Sequence, residues 1–239
     1  MIWWRRRNGT ASRWRSKRRS AIGDRPGIAG SYHQLGMVAQ RRGYLVEAEE
    51  WYRKSLKIKE ALGNRPGMAT SYHQLSTVAQ DRGNLVAAEE WCRKSLEIKE
   101  ALGNRPGMAI SYDRLGNLAR QRGALNAAEE WYHKSLGMRV ELGDRPDMAR
   151  SYGQLGSLAA ARRDPNTALD WLVRCVALFP EFPHPGAGPG PHFLARLTAS
   201  LGTPALEASW QRCTGASLPA QIRATVLDMI NKSNSASGH

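Results

Sequence analysis

The chain repeats itself every 40 residues. Gly23-Asp24-Arg25-Pro26 returns as Gly63-Asn64-Arg65-Pro66, Gly103-Asn104-Arg105-Pro106 and Gly143-Asp144-Arg145-Pro146. Ser31-Tyr32, Leu35, Ala48 and Trp51 recur at constant offsets down to Ser151-Tyr152, Leu155, Ala168 and Trp171. Self-similarity of this period marks stacked units, each burying its apolar face only against its neighbours. The units run 23–62, 63–102, 103–142 and 143–182. That constraint points to a scaffold rather than to an active site.

Within one unit the spacing is helical. Ala29, Tyr32, Leu35 and Ala39 mark one side of a first helix, and Ala48, Trp51, Tyr52, Ser55 and Leu56 the apolar stripe of a second. Gly43 separates the two. Gly63, Gly103 and Gly143 are placed to end each second helix in a left-handed turn, and the following Asn64, Asn104 or Asp144 to cap the next first helix. Proline fits the opening turn of that helix. The pairs Glu49–Arg53 and Glu89–Arg93 have the favourable i,i+4 order, worth only about 0.2–0.5 kcal/mol each, so they support helices rather than define a site. Trp51, Trp91, Trp131 and Trp171 are expected in the inter-helix core.

This pattern resembles the tetratricopeptide repeat. The family's aromatic, Leu-Gly, small residue, Gly, Ala, aromatic and small residue are met by Tyr32, Leu35-Gly36, Ala39, Gly43, Ala48, Tyr52 and Ser55. The third unit matches with Tyr112, Leu115-Gly116, Ala119, Gly123, Ala128, Tyr132 and Ser135. The second departs at Ser76 and Cys92, the fourth at Arg163, Leu172 and Cys175. A unit of 40 residues is longer than the family's usual length of about 34. In that it is similar to the arrays of kinesin light chains, of animal G-protein-signalling modulators and of many bacterial signalling proteins. The resemblance implies an all-α, right-handed α-solenoid of helix-turn-helix repeats whose first helices line a concave groove for a peptide or partner protein. It implies no catalysis.

The resemblance also assigns positions to the groove. These are His33, Gln34, Met37, Gln40 and Arg41 in the first unit, and His73, Gln74, Thr77 and Gln80 in the second. The third offers Asp113, Arg114, Asn117 and Arg120, the fourth Gln154 and Ser157. Asn117 matches the family's asparagine that bonds a bound peptide's backbone; the other three units lack it. The family's Lys, Asn and Arg carboxylate clamp is not reproduced. A groove rich in Gln and His with Arg41, Arg114 and Arg120 suits an extended, polar to acidic segment.

The net charge of +14 would ordinarily raise nucleic acid or an anionic membrane as a partner. More than half of it sits in residues 1–20, where Arg5, Arg6, Arg7, Arg13, Arg15, Lys17, Arg18 and Arg19 stand with no acid. A basic arm interleaved with Trp3, Trp4 and Trp14 invites a nucleic-acid reading. A second explanation fits the residues more closely. A permitted set of codons for MIWWRRRNGTASRWRSKRRS, shifted by two bases, encodes DLVAAEEWYRKSLEIKEAL, against LVAAEEWCRKSLEIKEAL at residues 85–102. The codons for Ser20–Arg25 permit the short tandem duplication that the repeat register then requires. The arm is therefore expected to be a frameshifted second helix of a preceding unit, the chain a truncated part of a longer protein, and residues 1–22 disordered, leaving the first unit uncovered.

Beyond the repeats, five prolines and three glycines between Pro180 and Pro191 read as a linker over 183–191, or as an extended segment laid along the surface. Leu194, Leu197 and Leu201, then Leu206, Trp210 and Cys213, then Ile222, Val226, Met229 and Ile230 form three helical stripes split by Gly202 and Gly215. They are expected to cap the array over 192–231, with residues 232–239 fraying. Cys92, Cys175 and Cys213 are widely spaced, and Cys92 stands where Tyr52 and Tyr132 do, so a buried apolar role outweighs a ligand or disulfide one. No apolar run has membrane-spanning length. His33, His73 and His133 lack partners at metal-ligand spacing, and no phosphate loop or nucleophile elbow is present.

These readings together predict a cytoplasmic, non-enzymatic protein–protein interaction scaffold, with no cofactor and no metal. Nucleic-acid binding through the arm is the alternative from another class. The sensor end of a split signalling NTPase or protease is a third.

Overall fold

The computed structural model describes residues 24–236, so the basic arm and its proposed origin lie outside the described residues. Eight helices begin at 20-residue intervals among them, so the 40-residue period divides into two nearly equal halves. The chain separates into two compact units, Met1–Gly103 and Asn104–His239. The first holds α1 (Arg25–Arg41), α2 (Leu45–Ala61), α3 (Arg65–Asp81) and α4 (Leu85–Ala101). The second holds α5 (Arg105–Gln121), α6 (Leu125–Leu142), α7 (Arg145–Ala161), α8 (Pro165–Val176), α9 (Gly190–Leu201), α10 (Thr203–Thr214) and α11 (Ala220–Ala236). No helix among the described residues is long and apolar enough to cross a membrane.

The helix ends follow from the punctuation residues. Asn64 and Asp144 accept hydrogen bonds from the backbone N–H of Gly67 at 2.9 Å and Asp147 at 3.1 Å, satisfying donors that a helix start leaves orphaned. Gly63 takes φ +63° between α2 and α3, a left-handed turn that costs a glycine nothing. Arg163 adopts φ +61° between α7 and α8, the turn within a repeat that Gly43, Gly83 and Gly123 occupy elsewhere, where a side chain is strained.

Within the first three repeats the two helices are joined by the same contact. Ser55 Oγ donates to Ala29 O at 2.7 Å, and Ser95 Oγ to Ala69 O at 2.8 Å. In the second unit Ser135 Oγ donates to Ala109 O at 3.0 Å. The deepest aromatic position belongs to Tyr52 and Tyr132, both fully buried, with Cys92 and Leu172 in the same place. Their partners on the first helix vary in step. Gly36 and Gly116 lie under the tyrosine rings, so close that an added Cβ would come within 2.7 Å of Tyr52 and 2.5 Å of Tyr132. Where Cys92 leaves room, Ser76 fills it and donates to Ala88 O at 2.7 Å.

The repeated tryptophans meet the core expectation only in part. They are half-buried, with Trp51, Trp91 and Trp171 packed against the core clusters without being enclosed in them. Trp91 stacks on Tyr72 at 5.5 Å with Lys94 Nζ 4.6 Å from its ring, and Trp131 sits likewise between Tyr112 and Lys134. The stripe is one residue wide at its deepest, and Tyr52 rather than Trp51 occupies that line.

Leu35 departs further. Expected on the core side, it is 45% exposed, whereas Leu75, Leu115 and Leu155 are 1–2% exposed. Leu75 joins Val78 in a cluster with Tyr52 and Leu56 of the preceding helix. Over α1 no such helix stands among the described residues.

The second unit closes differently from the first. Helix α8 stops at Val176, short of the length of α2 or α4, because Pro180 and the residues after it cannot continue a helix. Leu169, Leu172, Val173 and Val176 then meet Leu194, Leu206, Trp210 and Val226 in one apolar cluster. Asp170 ties α8 to α10, accepting from Ser209 Oγ at 2.6 Å and from Arg212 at 2.7 Å. Helix α11 continues to Ala236, into the stretch expected to fray.

Candidate functional site

The sequence-predicted groove residues separate into those the fold already uses and those it leaves at a cavity. In the first unit Gln40 is engaged twice: its Oε1 accepts from Tyr52 OH at 3.0 Å, and its Nε2 donates to Asp81 Oδ2 at 3.0 Å. His33 leans on the Tyr52 ring at 5.4 Å, and burial, with the Lys59 ammonium second, holds its pKa below the ordinary imidazole range. Thr77 Oγ1 donates to His73 O at 3.1 Å. Gln34 and Arg41 are exposed, while His73, Gln74 and Gln80 are half-buried.

In the second unit Asp113 does not face a groove. It is 7% exposed and ion-paired with Arg139, itself 1% exposed. Arg139 Nη1 also donates to Ser151 Oγ at 2.6 Å and to Asp147 O at 2.8 Å, so the guanidinium joins three helices. In the first unit Lys59 occupies the place of Arg139, donates to Ser71 Oγ at 2.8 Å, and has its pKa lowered by burial. The residue at Asp113's position there is the neutral His33. The two positions are matched in charge, an arrangement that the isolated groove assignment of Asp113 missed.

Asn117, Arg120, Gln154 and Ser157 do come together. They line a cavity of about 510 Å3 with Arg150. Its far wall is the segment read as a linker: Pro185 to Gly190, including a short 3-10 turn at Pro185–Ala187, together with Phe193 of α9. That segment is held in place by packing. Ala187 is 5% exposed and clusters with Ala149 and Cys175. Cys175 Sγ donates to Ala187 O at 3.7 Å, and a Cβ on Gly190 would come within 2.8 Å of the same sulfur. Burial pushes the Cys175 thiol up to about 11, so it is a neutral wall residue and not a nucleophile.

The polar groups of the cavity have defined directions. Tyr132 OH donates to Asn117 Oδ1 at 2.8 Å, which occupies the amide oxygen and leaves the amide N–H groups as the donors of this side chain. Gln154 Oε1 is buried without a hydrogen-bond partner among the described residues. An orphaned buried acceptor is costly, and it asks for an incoming N–H. Arg120 and Ser157 are exposed at the rim, and Arg150, 61% exposed along its side chain, pairs with Asp147 at 2.9 Å. One wall thus offers amide donors, an amide acceptor and two guanidinium groups; the other offers Phe193 and prolines.

Three overlapping stretches, 27–101, 67–139 and 107–181, match the family model for the tetratricopeptide repeat. The chain belongs to the tetratricopeptide repeat family. Among solved structures, a kinesin light chain-like protein of Podosopora anserina with nearly identical repeats is similar at 18% identity, covering 91% of this chain and 100% of its own, with a TM-score of 0.65. BtubC (BKLC) from P. vanneervenii is 22% identical over 92% of this chain and 91% of its own, TM-score 0.66. The apo form of RapI is 16% identical with a TM-score of 0.67, and this chain spans 62% of it. At those identities the likeness is one of fold. No curated protein matches the chain.

Proposed function

We propose that the chain is a non-catalytic interaction scaffold that binds an extended, acidic peptide segment in the cavity of its second unit. The observation that carries this is the presence of Asn117 and Gln154 on one wall of that cavity, one with its amide oxygen already bonded and its N–H groups left as donors, the other with an orphaned acceptor. A peptide backbone supplies a C=O and an N–H at each residue and satisfies both. Arg120 and Arg150 at the rim favour carboxylate side chains, through charge-assisted hydrogen bonds that arginine makes in pairs. Phe193 and Pro185 give an apolar side chain of the same segment a surface to cover. The repeat architecture supports the same reading, because stacked helical units present extended surfaces and no chemistry of their own.

The test uses a fluorescein-labelled peptide alternating Glu with apolar residues, titrated with the full chain while anisotropy is followed. Saturable binding is expected, weakened about tenfold or more by Arg120→Glu combined with Arg150→Glu. Binding unchanged by that double substitution contradicts the proposal. So does a peptide bound only through residues 1–20, which their deletion would reveal. A labelled single-stranded oligonucleotide run in parallel examines the nucleic-acid reading, whose mark is a steep loss of affinity with salt.

A further inference from the structure

The exposed face of α1 carries half of an interface that the chain writes out in full elsewhere. In the first unit, α2 covers α3 through four matched contacts. Glu49 pairs with Arg82, Tyr52 and Leu56 pack on Leu75 and Val78, and Lys59 Nζ donates to Ser71 Oγ at 2.8 Å. In the second unit α6 covers α7 in the same way. Glu129 pairs with Arg162 at 2.6 Å, Tyr132 and Leu136 pack on Leu155 and Leu158, and Arg139 donates to Ser151 Oγ at 2.6 Å. The covering helix therefore carries Glu, Tyr, Leu and a base at i, i+3, i+7 and i+10 in both places. The covered helix answers with Ser, Leu, an apolar residue and Arg at i, i+4, i+7 and i+11.

Helix α1 holds that second set, at Ser31, Leu35, Val38 and Arg42. Leu35 is 45% exposed and Val38 44%, where Leu75 and Val78 are 1% and 0%. Ser31 is exposed, where Ser71 and Ser151 are fully buried. Ile28, 43% exposed, extends the apolar strip by two turns from Leu35. Contiguous apolar surface rimmed by placed polar groups marks an interaction site rather than a solvated face.

We infer that this face of α1 is a docking surface for an amphipathic helix of a separate polypeptide, one that presents Glu, Tyr, Leu and Lys at the spacing found in α2. The occupant is specified by those two interfaces: α1 reproduces the covered half of the first residue for residue, and that of the second with Val38 for Leu158. The inference is independent of the cavity, which lies wholly in the other unit.

The probe is a labelled synthetic peptide with the sequence of residues 43–63, titrated by anisotropy against the full chain. Saturable binding is expected. Leu35→Glu and Val38→Glu, both at exposed positions, are each expected to weaken it about tenfold or more, because the carboxylate would be buried under the peptide. Circular dichroism checks that these variants keep their helix content. Arg42→Glu is expected to weaken binding and a peptide carrying Arg at the Glu49 position to restore it, which a merely sticky surface would not do. The inference is overturned by absence of saturable binding or by failure of that charge exchange. It is overturned equally by a dimer of the chain that Leu35→Glu disperses while the peptide stays unbound, since a second copy then holds the face. Peptide binding seen only after residues 1–22 are deleted also overturns it, since the chain's own arm then holds the face.

Discussion

Replacing Cys92 by tyrosine should fail alone and succeed in company. At that position Tyr52 and Tyr132 lie over Gly36 and Gly116, with no room for a Cβ: the added atom would be 2.7 Å and 2.5 Å from the respective rings, below any real contact distance. Cys92 instead faces Ser76, whose side chain is fully buried and bonded to Ala88 O. A Cys92→Tyr ring would have to occupy the space of the Ser76 Cβ and Oγ. Overpacking of that kind costs about 1–3 kcal/mol. Ser76→Gly alone gives up a hydrogen bond worth about 1 kcal/mol and adds a helical glycine at a few tenths more. Together the two substitutions recreate the Gly36–Tyr52 pair, so the double variant should recover most of the loss. The expected coupling is about 2 kcal/mol, at the upper part of the range for residues in direct contact. Urea denaturation of the four proteins in the cycle, followed by circular dichroism, measures it. Simple additivity would refute the claim that the glycine is there to admit the ring.

Three further outcomes follow from particular contacts. Arg139→Ala leaves Asp113 as a buried, unpaired carboxylate and should destabilise the second unit by about 3–5 kcal/mol, read from the denaturation midpoint; a loss under 1 kcal/mol would show the pair to be solvated. Arg163→Gly removes a left-handed side chain and should stabilise by about 0.5–1 kcal/mol in the same assay, whereas a loss would mean that the turn is not strained. His33 has a folded pKa below its unfolded one, so unfolding takes up a proton as pH falls; stability present above about 6.5 should decline below it, and His33→Gln should flatten that decline in melts between pH 7 and 5.

Much of the fold was legible because stacked repeats make local spacing and tertiary burial the same thing. Ala48, Ser55 and Leu56 share a stripe in the sequence and a buried line in the structure, and Asn64 and Asp144 cap the helices their positions indicated. The exceptions are instructive. Periodicity placed Leu35 inside because it assigns a face, not the presence of a neighbour to cover it. It placed Trp51 in the core because residues at i+3 and i+4 share a stripe, and only the packing angle decides that Tyr52 goes deepest. Asp113 looked like a groove residue in isolation. A comparison of positions 40 residues apart carried the missing signal, since His33 stands with Lys59 and Asp113 with Arg139. The cavity was half legible. The family pattern names Asn117, Arg120 and Gln154, whereas composition leaves their opposite wall as either a linker or a segment laid along the surface. Proline and glycine content says that a segment holds no long helix; it does not say whether the segment packs. Cys175, in the place of Ser135, was the available clue, because the sulfur turns from the first helix of its own repeat to Ala187.

Side-chain amide resonances give the most direct test of peptide binding at the second unit. With the full chain labelled in nitrogen-15 and an unlabelled acidic peptide added, the Asn117 and Gln154 amides should shift together and saturate at the same peptide concentration, with Gln34 and Gln74 unmoved. Shifts confined to the first unit or to residues 1–20, with Asn117 and Gln154 silent, would contradict the account.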